Sequence, residues 1–148
     1  MQTISKSKFI SYKTCPKSLW LLFNKKEEYV EDPSALKHIK EGKEVGALAK
    51  KYFKDVADTT SYKEDGSLDI ENMIGLTNRY ILENKETIAE ASFSQDGLFC
   101  SVDLLHKVDG GYEIYEVKAT TEVEKEHLID SAKKKYALQK CGLDVVKT

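Results

Sequence analysis

The spacing of the hydrophobic residues changes near Asn84, and this change limits the folds that the chain can adopt. Before Asn84, apolar residues recur at helical spacing. After it, apolar and polar residues alternate in three segments, at 87–93, 97–108 and 112–119. The sequences Gln95-Asp96-Gly97 and Asp109-Gly110-Gly111 separate these segments and favour hairpin turns. The sequence therefore predicts a three-stranded antiparallel meander that follows a helical first half.

Helices are predicted on both sides of the meander. They cover 5–25 in two short pieces, 33–54, 69–81 and 122–141, with a loop at 55–67, and a last strand begins at 143. The apolar face predicted for the helix at 122–141 includes Leu128 and Tyr136. Ser5 or Ser7 is expected to cap the first helix, and Pro16 to lie in the first turn of the second. Asp32 followed by Pro33 marks the start of the third helix, and Asp69 caps the fourth.

These elements predict one α/β domain over residues 1–148. Residues 1–84 form its helical part, and 85–148 form a mixed sheet with an antiparallel hairpin flanked by helices. Because the last strand is followed by no turn, we expect the chain to be the N-terminal part of a longer protein. A missing C-terminal domain or a protein partner is then a possible neighbour.

The charge balance excludes a polycationic nucleic-acid binder. The chain has 23 basic and 25 acidic residues, and Arg79 is its only arginine. Nucleic-acid contacts must therefore come from local lysine patches, which bind phosphates rather than read base edges. No apolar run reaches the roughly 18 residues of a membrane span, and residues 1–6 lack the apolar core of a signal peptide, so we expect a cytoplasmic protein without a membrane partner.

Two glycines interrupt the predicted third helix. Gly42 and Gly46 are four residues apart and therefore lie on the same side of the helix. Each costs roughly 1 kcal/mol relative to alanine in a helix interior. This cost indicates that another backbone or a ligand approaches the helix closely there.

Charged residues stand inside apolar strand segments at two places. Asp103 lies among valine and leucine residues, and Glu116 and Lys118 lie on one face of the next strand. Charges in such strands need a partner or a metal to offset the loss of hydration. Two carboxylates and a lysine across adjacent strands can form a site for Mg²⁺ or Mn²⁺, where the lysine assists a water molecule and neutralises charge on a phosphate. The alternative is a salt-bridge ladder on an exposed sheet face.

The ordered set of these segments resembles the motifs of the PD-(D/E)XK nuclease superfamily. The matching pieces are Ser101-Val102-Asp103-Leu104-Leu105, Tyr115-Glu116-Val117-Lys118 and a following helix that carries Tyr136. The likeness is to the RecB-like group, which includes CRISPR-associated exonucleases and bacterial RecB-like nucleases of unknown function. Segments 5–21 and 41–46 resemble the N-terminal part of that group, so the resemblance spans roughly residues 4 to 146.

The resemblance implies a PD-(D/E)XK nuclease-like core and a Mg²⁺- or Mn²⁺-dependent deoxyribonuclease, exonuclease-like, acting on single- or double-stranded DNA. It makes Asp103 and Glu116 metal ligands and Lys118 the catalytic lysine. Some relatives bind an iron–sulfur cluster through one N-terminal and three C-terminal cysteines. Cys15, Cys100 and Cys141 do not reproduce that set, so we expect no cluster within these 148 residues. Because they are odd in number and far apart in sequence, we expect them to be reduced thiols.

The chain departs from the RecB-like pattern at two positions. Gly46 stands where many relatives have a metal-binding histidine, and the glutamine of the last motif is missing. Further residues are candidates for an accessory role: Glu90, His38, Glu41, Glu44 and Tyr136. Lys133, Lys134 and Lys135 form either a patch that contacts phosphates or a solvated helix face.

Three roles are compatible with this sequence, of which the third is a structural scaffold that binds no nucleic acid and no divalent ion at the hairpin. The first is a metal-dependent nuclease, which the intact Asp103, Glu116 and Lys118 favour. The second is a catalytically weakened module with the same fold that binds nucleic acid or a protein partner, which the two departures favour.

Overall fold

The computed structural model describes residues 4–28, 30 and 35–148, and for residues 26 and 35–40 it describes the backbone alone. The helices are α1 (Lys6–Thr14), α2 (Pro16–Asn24), α3 (Ala35–Lys50), α4 (Ile70–Leu82) and α5 (Lys125–Lys140), with a short 3-10 helix at Lys26–Glu28. The strands are β1 (Ala57–Asp58), β2 (Thr87–Gln95), β3 (Leu98–Val108), β4 (Gly111–Tyr115) and β5 (Val145–Lys147).

The strands form one mixed sheet in the order β1-β2-β3-β4-β5. β2, β3 and β4 are antiparallel neighbours, as predicted for the meander. β1 pairs with β2 and β5 pairs with β4, both in parallel. The expected α/β class with a mixed sheet and flanking helices is confirmed.

The turns explain how the sequence specifies the meander. Asp96 and Gly97 both have positive φ angles, 51° and 77°, as the two-residue turn of a right-twisted hairpin requires. At the second turn, Gly111 has a φ of 150°, and a Cβ atom there would collide with the backbone of Asp144. Glycine thus lets β4 lie against the segment that leads into β5.

The helix ends follow the predicted signals in part. The Asp69 side chain accepts a hydrogen bond from the Asn72 backbone at 3.1 Å and caps α4, and Pro16 lies in the first turn of α2. Ser5 precedes α1, but its hydroxyl lies 3.2 Å from that of Ser7, and its side chain makes no capping hydrogen bond. The predicted start of α3 at Asp32 and Pro33 lies outside the described residues.

Two expectations about these elements are wrong. The segment 55–67, predicted as a loop, contains β1, which is two residues long and therefore too short to show an alternating pattern. The apolar residues expected to bury α5 include Leu128 and Tyr136, which are exposed. The buried residues of α5 are instead Asp130, Lys134, Ala137 and Leu138. Asp130 and Lys134 form an ion pair and lie on the same side of the helix as the two apolar residues, so the buried face is partly charged.

The core packs between the sheet, α4 and α5, and its pattern changes halfway along the sheet. Ile88 and Ala91 of β2 belong to one buried cluster, as do Val102 and Leu105 of β3. Each pair is three residues apart, whereas residues two apart share a face in a regular strand. The alternation of side chains between the core face and the opposite face is therefore interrupted at residues 89–90 of β2 and 103–104 of β3. The candidate site lies at this interruption.

No helix among the described residues combines the length and the apolar character that crossing a membrane requires.

Candidate functional site

Asp103 and Glu116 lie one residue beyond the last paired positions of β3 and β4. Leu104 pairs with Tyr115, so the next residues in register are Asp103 and Glu116. β4 ends at Tyr115, earlier than the predicted 119, because the backbone N–H of Val117 donates to Asp103 Oδ2 at 2.7 Å. The Asp103 carboxylate thus takes the place of a backbone partner and holds the segment that carries Glu116.

Lys118 lies between the two carboxylates. Its ammonium contacts Glu116 Oε1 and lies 3.9 Å from Asp103 Oδ2. The three residues that the sequence predicts to form a site across adjacent strands are therefore together in the structure. The Lys118 side chain is 25% exposed and that of Asp103 is 31% exposed, so both can reach solvent.

A second lysine that sequence reasoning did not assign to the site holds the other oxygen of Glu116. The Lys134 ammonium contacts Glu116 Oε2 and lies 3.7 Å from Asp130 Oδ2 on the preceding turn of α5. Asp130 Oδ2 lies 2.7 Å from the ammonium of Lys6 on α1. Opposite charges therefore alternate from α1 through α5 to the sheet.

The charges of this network set the pKa values of its buried members. Burial works to lower the pKa of Lys134, but the Glu116 and Asp103 carboxylates outweigh it and hold that pKa above its ordinary value. Burial works to raise the pKa of Asp130, but the ammonium groups of Lys6 and Lys134 outweigh it and hold that pKa below its ordinary value. Both groups are therefore charged at neutral pH.

A cleft of about 650 Å³ opens beside Asp103. Its lining includes Lys118 and Glu90 together with residues of α3. The α3 wall of the cleft consists of Gly42, Lys43, Gly46, Ala47 and Lys50. No described atom lies within 4 Å of the position that a Cβ would take at Gly42 or Gly46. No described backbone therefore packs against the two glycines, and the space that they leave belongs to the cleft.

Glu90 occupies a strained position in the middle of β2. Its φ is 55°, which is uncommon for a residue other than glycine. Three hydroxyl groups donate to its carbonyl oxygen and hold the backbone in this conformation, those of Thr59 at 2.7 Å, Ser92 at 3.0 Å and Ser101 at 3.2 Å. The Glu90 side chain lines the same cleft as Asp103.

Replacing Glu90 with glutamine is expected to stabilise the protein at pH 7. Burial, followed by the charge of Asp103, raises the pKa of the Glu90 carboxyl above its ordinary 4.5. The folded state therefore binds the proton of the Glu90 carboxyl more tightly than the unfolded state does, and the free energy of unfolding falls as the pH rises above 4.5. In urea unfolding, Glu90→Gln should have a higher free energy of unfolding than wild type at pH 7, and the difference should disappear at about pH 3.5. A gain of equal size at both pH values would contradict this electrostatic explanation.

The other accessory candidates lie in different surroundings. The side chain of His38 lies outside the part of the structure that is described. Glu41 is half-buried and Glu44 is exposed, and neither is among the described residues that line the cleft. Tyr136 is 52% exposed on α5, where the Lys140 ammonium lies 5.5 Å from its ring centre.

The three consecutive lysines do not form one solvated face. Lys134 is buried against Glu116, which corrects its placement in a surface patch. Lys133 is partly buried, donates to the Phe99 carbonyl at 3.4 Å and has a pKa lowered by burial. Lys135 is also partly buried. Nucleic-acid contact by Lys133 and Lys135 stays a prediction.

The three cysteines are free thiols in different surroundings. Cys15 is exposed, Cys141 is partly buried and Cys100 is buried. Burial raises the pKa of Cys100 to about 11, so this thiol is protonated at neutral pH.

The donor set fits a divalent ion held by few protein ligands. Among the described residues, no three His, Cys, Asp or Glu side chains form a group that could hold a metal. Asp103 and Glu116 nevertheless supply carboxylate oxygens, the donors that Mg²⁺ and Mn²⁺ prefer. Because Mg²⁺ commonly binds through one or two carboxylates, several waters and substrate phosphates, the pair meets its minimum requirement.

Comparisons of this chain with models of protein families, with curated proteins and with solved structures found no match in any of the three.

Proposed function

We propose that this chain is a metal-dependent deoxyribonuclease that hydrolyses phosphodiester bonds. The observation that carries the proposal is the meeting of Asp103, Glu116 and Lys118 at the end of two paired strands, beside a cleft. In this proposal Asp103 and Glu116 hold Mg²⁺ or Mn²⁺. The ion, when bound, would lower the pKa of a water molecule and polarise the phosphate.

The chain's own residues have separate roles in this reaction. Lys118 is the catalytic lysine, because its ammonium is partly exposed in the cleft and can donate to the attacking water or to a phosphate oxygen. Asp103 holds the backbone at Val117, which fixes the positions of Glu116 and Lys118 relative to β3. Lys43 on the α3 wall of the cleft is placed to attract the DNA backbone, whereas the Lys50 ammonium is paired with Asp58 at 2.6 Å.

Cleavage of DNA tests the proposal directly. Purified chain is incubated with single- and double-stranded DNA, with Mn²⁺ or with a chelator. We expect cleavage in Mn²⁺ and none with the chelator. Asp103→Ala serves as the control for a contaminating nuclease. DNA that binds but is never cut would contradict the enzyme and support the second candidate.

The second candidate is a weakened nuclease-fold module that binds nucleic acid or a protein partner. One observation favours it: each oxygen of Glu116 already has an ammonium partner, Lys118 on one side and Lys134 on the other. An ion that binds Glu116 must compete with these lysines.

Adding methyl groups to α3 is expected to separate folding from DNA binding. Alanine at Gly42 or Gly46 meets no described atom within 4 Å, so each change should raise the free energy of unfolding by roughly 0.5–1 kcal/mol. The same methyl groups narrow the cleft, so the KM for DNA should rise. Gly75→Ala in α4 is the matched control, because Gly75 also has open space and is not among the described cleft residues. Thermal unfolding and steady-state cleavage measure the two effects. An unchanged KM for DNA in both the Gly42 and the Gly46 variant would argue against DNA binding along the α3 wall of the cleft.

A further inference from the structure

We infer that Lys134 is a positioning residue of the site: it fixes Glu116 through Oε2 and leaves Oε1, which contacts the cleft residue Lys118, as the oxygen that can exchange partners. This inference rests on the proposed function, since it assigns roles to the two oxygens of a proposed metal ligand. It also gives a buried lysine of the α5 triplet a part in the site itself.

The first support is the depth of Lys134. Its side chain is 7% exposed, and it lies on the face of α5 that carries Ala137 and Leu138 into the core. Burying an ammonium group costs much of its hydration and is tolerated where carboxylates pair with it. Glu116 and Asp130 supply those partners. A lysine whose main role is to contact phosphate would instead be expected at the surface.

The second support is the difference between the two lysines on Glu116. Lys118, on Oε1, is 25% exposed and lines the cleft. Lys134, on Oε2, is 7% exposed and is not among the described residues that line it. A side chain that reaches solvent can change partners at little cost, whereas a buried charge that leaves its partner is left uncompensated. Oε2 is therefore the fixed oxygen and Oε1 the exchangeable one.

The third support is the structure behind Lys134. Asp130 lies one helical turn before Lys134 and within 3.7 Å of its ammonium, and Lys6 of α1 lies 2.7 Å from Asp130. The carboxylate of Asp130 is buried, and its Oδ1 has no hydrogen-bond partner among the described atoms. Asp130 is held by its ion pairs with Lys6 and Lys134, and α1 contributes to holding the site through Lys6.

The affinity for Mn²⁺ distinguishes two possible effects of Lys134, the orientation of Glu116 and the electrostatic repulsion of the cation. Removal of Lys134 changes the affinity in opposite directions in the two cases. If Lys134 only repelled a cation, its removal would tighten Mn²⁺ binding. If it orients Glu116, its removal should weaken Mn²⁺ binding by about 10- to 100-fold, as for other groups that orient metal ligands. Calorimetry with Mn²⁺ on wild type and Lys134→Met measures this directly. Lys125→Met, which removes a charge from the exposed first turn of the same helix, is the control and should leave the affinity unchanged.

A second variant and a kinetic readout complete the test. Lys134→Gln keeps an N–H donor and should weaken Mn²⁺ binding less than Lys134→Met; it also provides a test if the methionine variant does not fold. In cleavage assays both variants should lower kcat and leave the KM for DNA nearly unchanged, because Lys134 is buried away from the strand. Mn²⁺ affinity equal to or tighter than wild type in a folded variant would overturn the positioning role while leaving the proposed function intact. Wild-type protein that binds no Mn²⁺, with or without DNA, would overturn the proposed function and this inference together.

Discussion

Replacing Lys118 with alanine is expected to lower the rate of DNA cleavage by about 10²- to 10⁴-fold, the usual contribution of a group that assists proton transfer. The affinity for DNA should change little, because one lysine among many phosphate contacts adds little to binding. The fold should survive, since Glu116 keeps Lys134 as its buried partner. Single-turnover cleavage in Mn²⁺ and fluorescence anisotropy on the same DNA measure the two quantities.

Lys107→Ala is the matched control for this variant. Lys107 is an exposed lysine on β3 that donates to Asn84 at 2.6 Å, on the part of the sheet that leads away from Asp103. Its loss should leave cleavage close to wild type. Cleavage that survives in Lys118→Ala would refute the role assigned to Lys118, even if the metal site proved correct.

Replacing Glu116 with alanine is expected to lower the free energy of unfolding by about 3–5 kcal/mol, because it leaves the buried ammonium of Lys134 without its nearest partner. Asp103→Ala is the matched comparison. It removes the acceptor of the Val117 N–H, but its charge partner Lys118 can turn to water, so a loss of about 1–3 kcal/mol is expected. Urea unfolding without metal measures both losses.

A double variant tests the cause of the Glu116 effect. Replacing a buried ion pair with apolar residues of similar size is often neutral for stability, so Glu116→Leu combined with Lys134→Met should recover most of the loss. A double variant no more stable than Glu116→Ala would show that the loss arises from packing. The double variant should also lack Mn²⁺ binding, which separates the stability of the pair from its function.

The elements with local signals could be predicted from the sequence. The turn at Asp96 and Gly97, the cap at Asp69 and the change of period near Asn84 depend on neighbouring residues, and the structure contains all three. The pairing of β3 with β4 follows from a short turn. The sequence therefore also predicts that Asp103 and Glu116 lie near each other.

The remaining features depend on contacts between distant parts of the chain. Asp130 and Lys134 are four residues apart, and a helical pattern restricted to apolar residues assigns α5 a different buried face. The spacing of 130, 134, 137 and 138 places both charges in line with Ala137 and Leu138, so only a pattern that includes charged residues predicts this buried face. The contact from Lys6 to Asp130 has no local signal, because it depends on how α1 packs against α5. The strained backbone of Glu90 depends on the hydroxyl groups of Thr59, Ser92 and Ser101. It therefore also lacks a local sequence signal.

The most direct test of the metal site is anomalous diffraction from crystals of the protein soaked with Mn²⁺, in the presence of a short DNA strand that resists cleavage. We expect one anomalous peak within coordination distance of carboxylate oxygens from both Asp103 and Glu116, with the peak lost in Asp103→Ala. The Lys134 ammonium should remain on Glu116 Oε2 while Lys118 leaves Oε1. A peak bound by other residues, or no peak at saturating Mn²⁺ with DNA seated in the cleft, would contradict the assignment of Asp103 and Glu116 as the metal ligands of a nuclease.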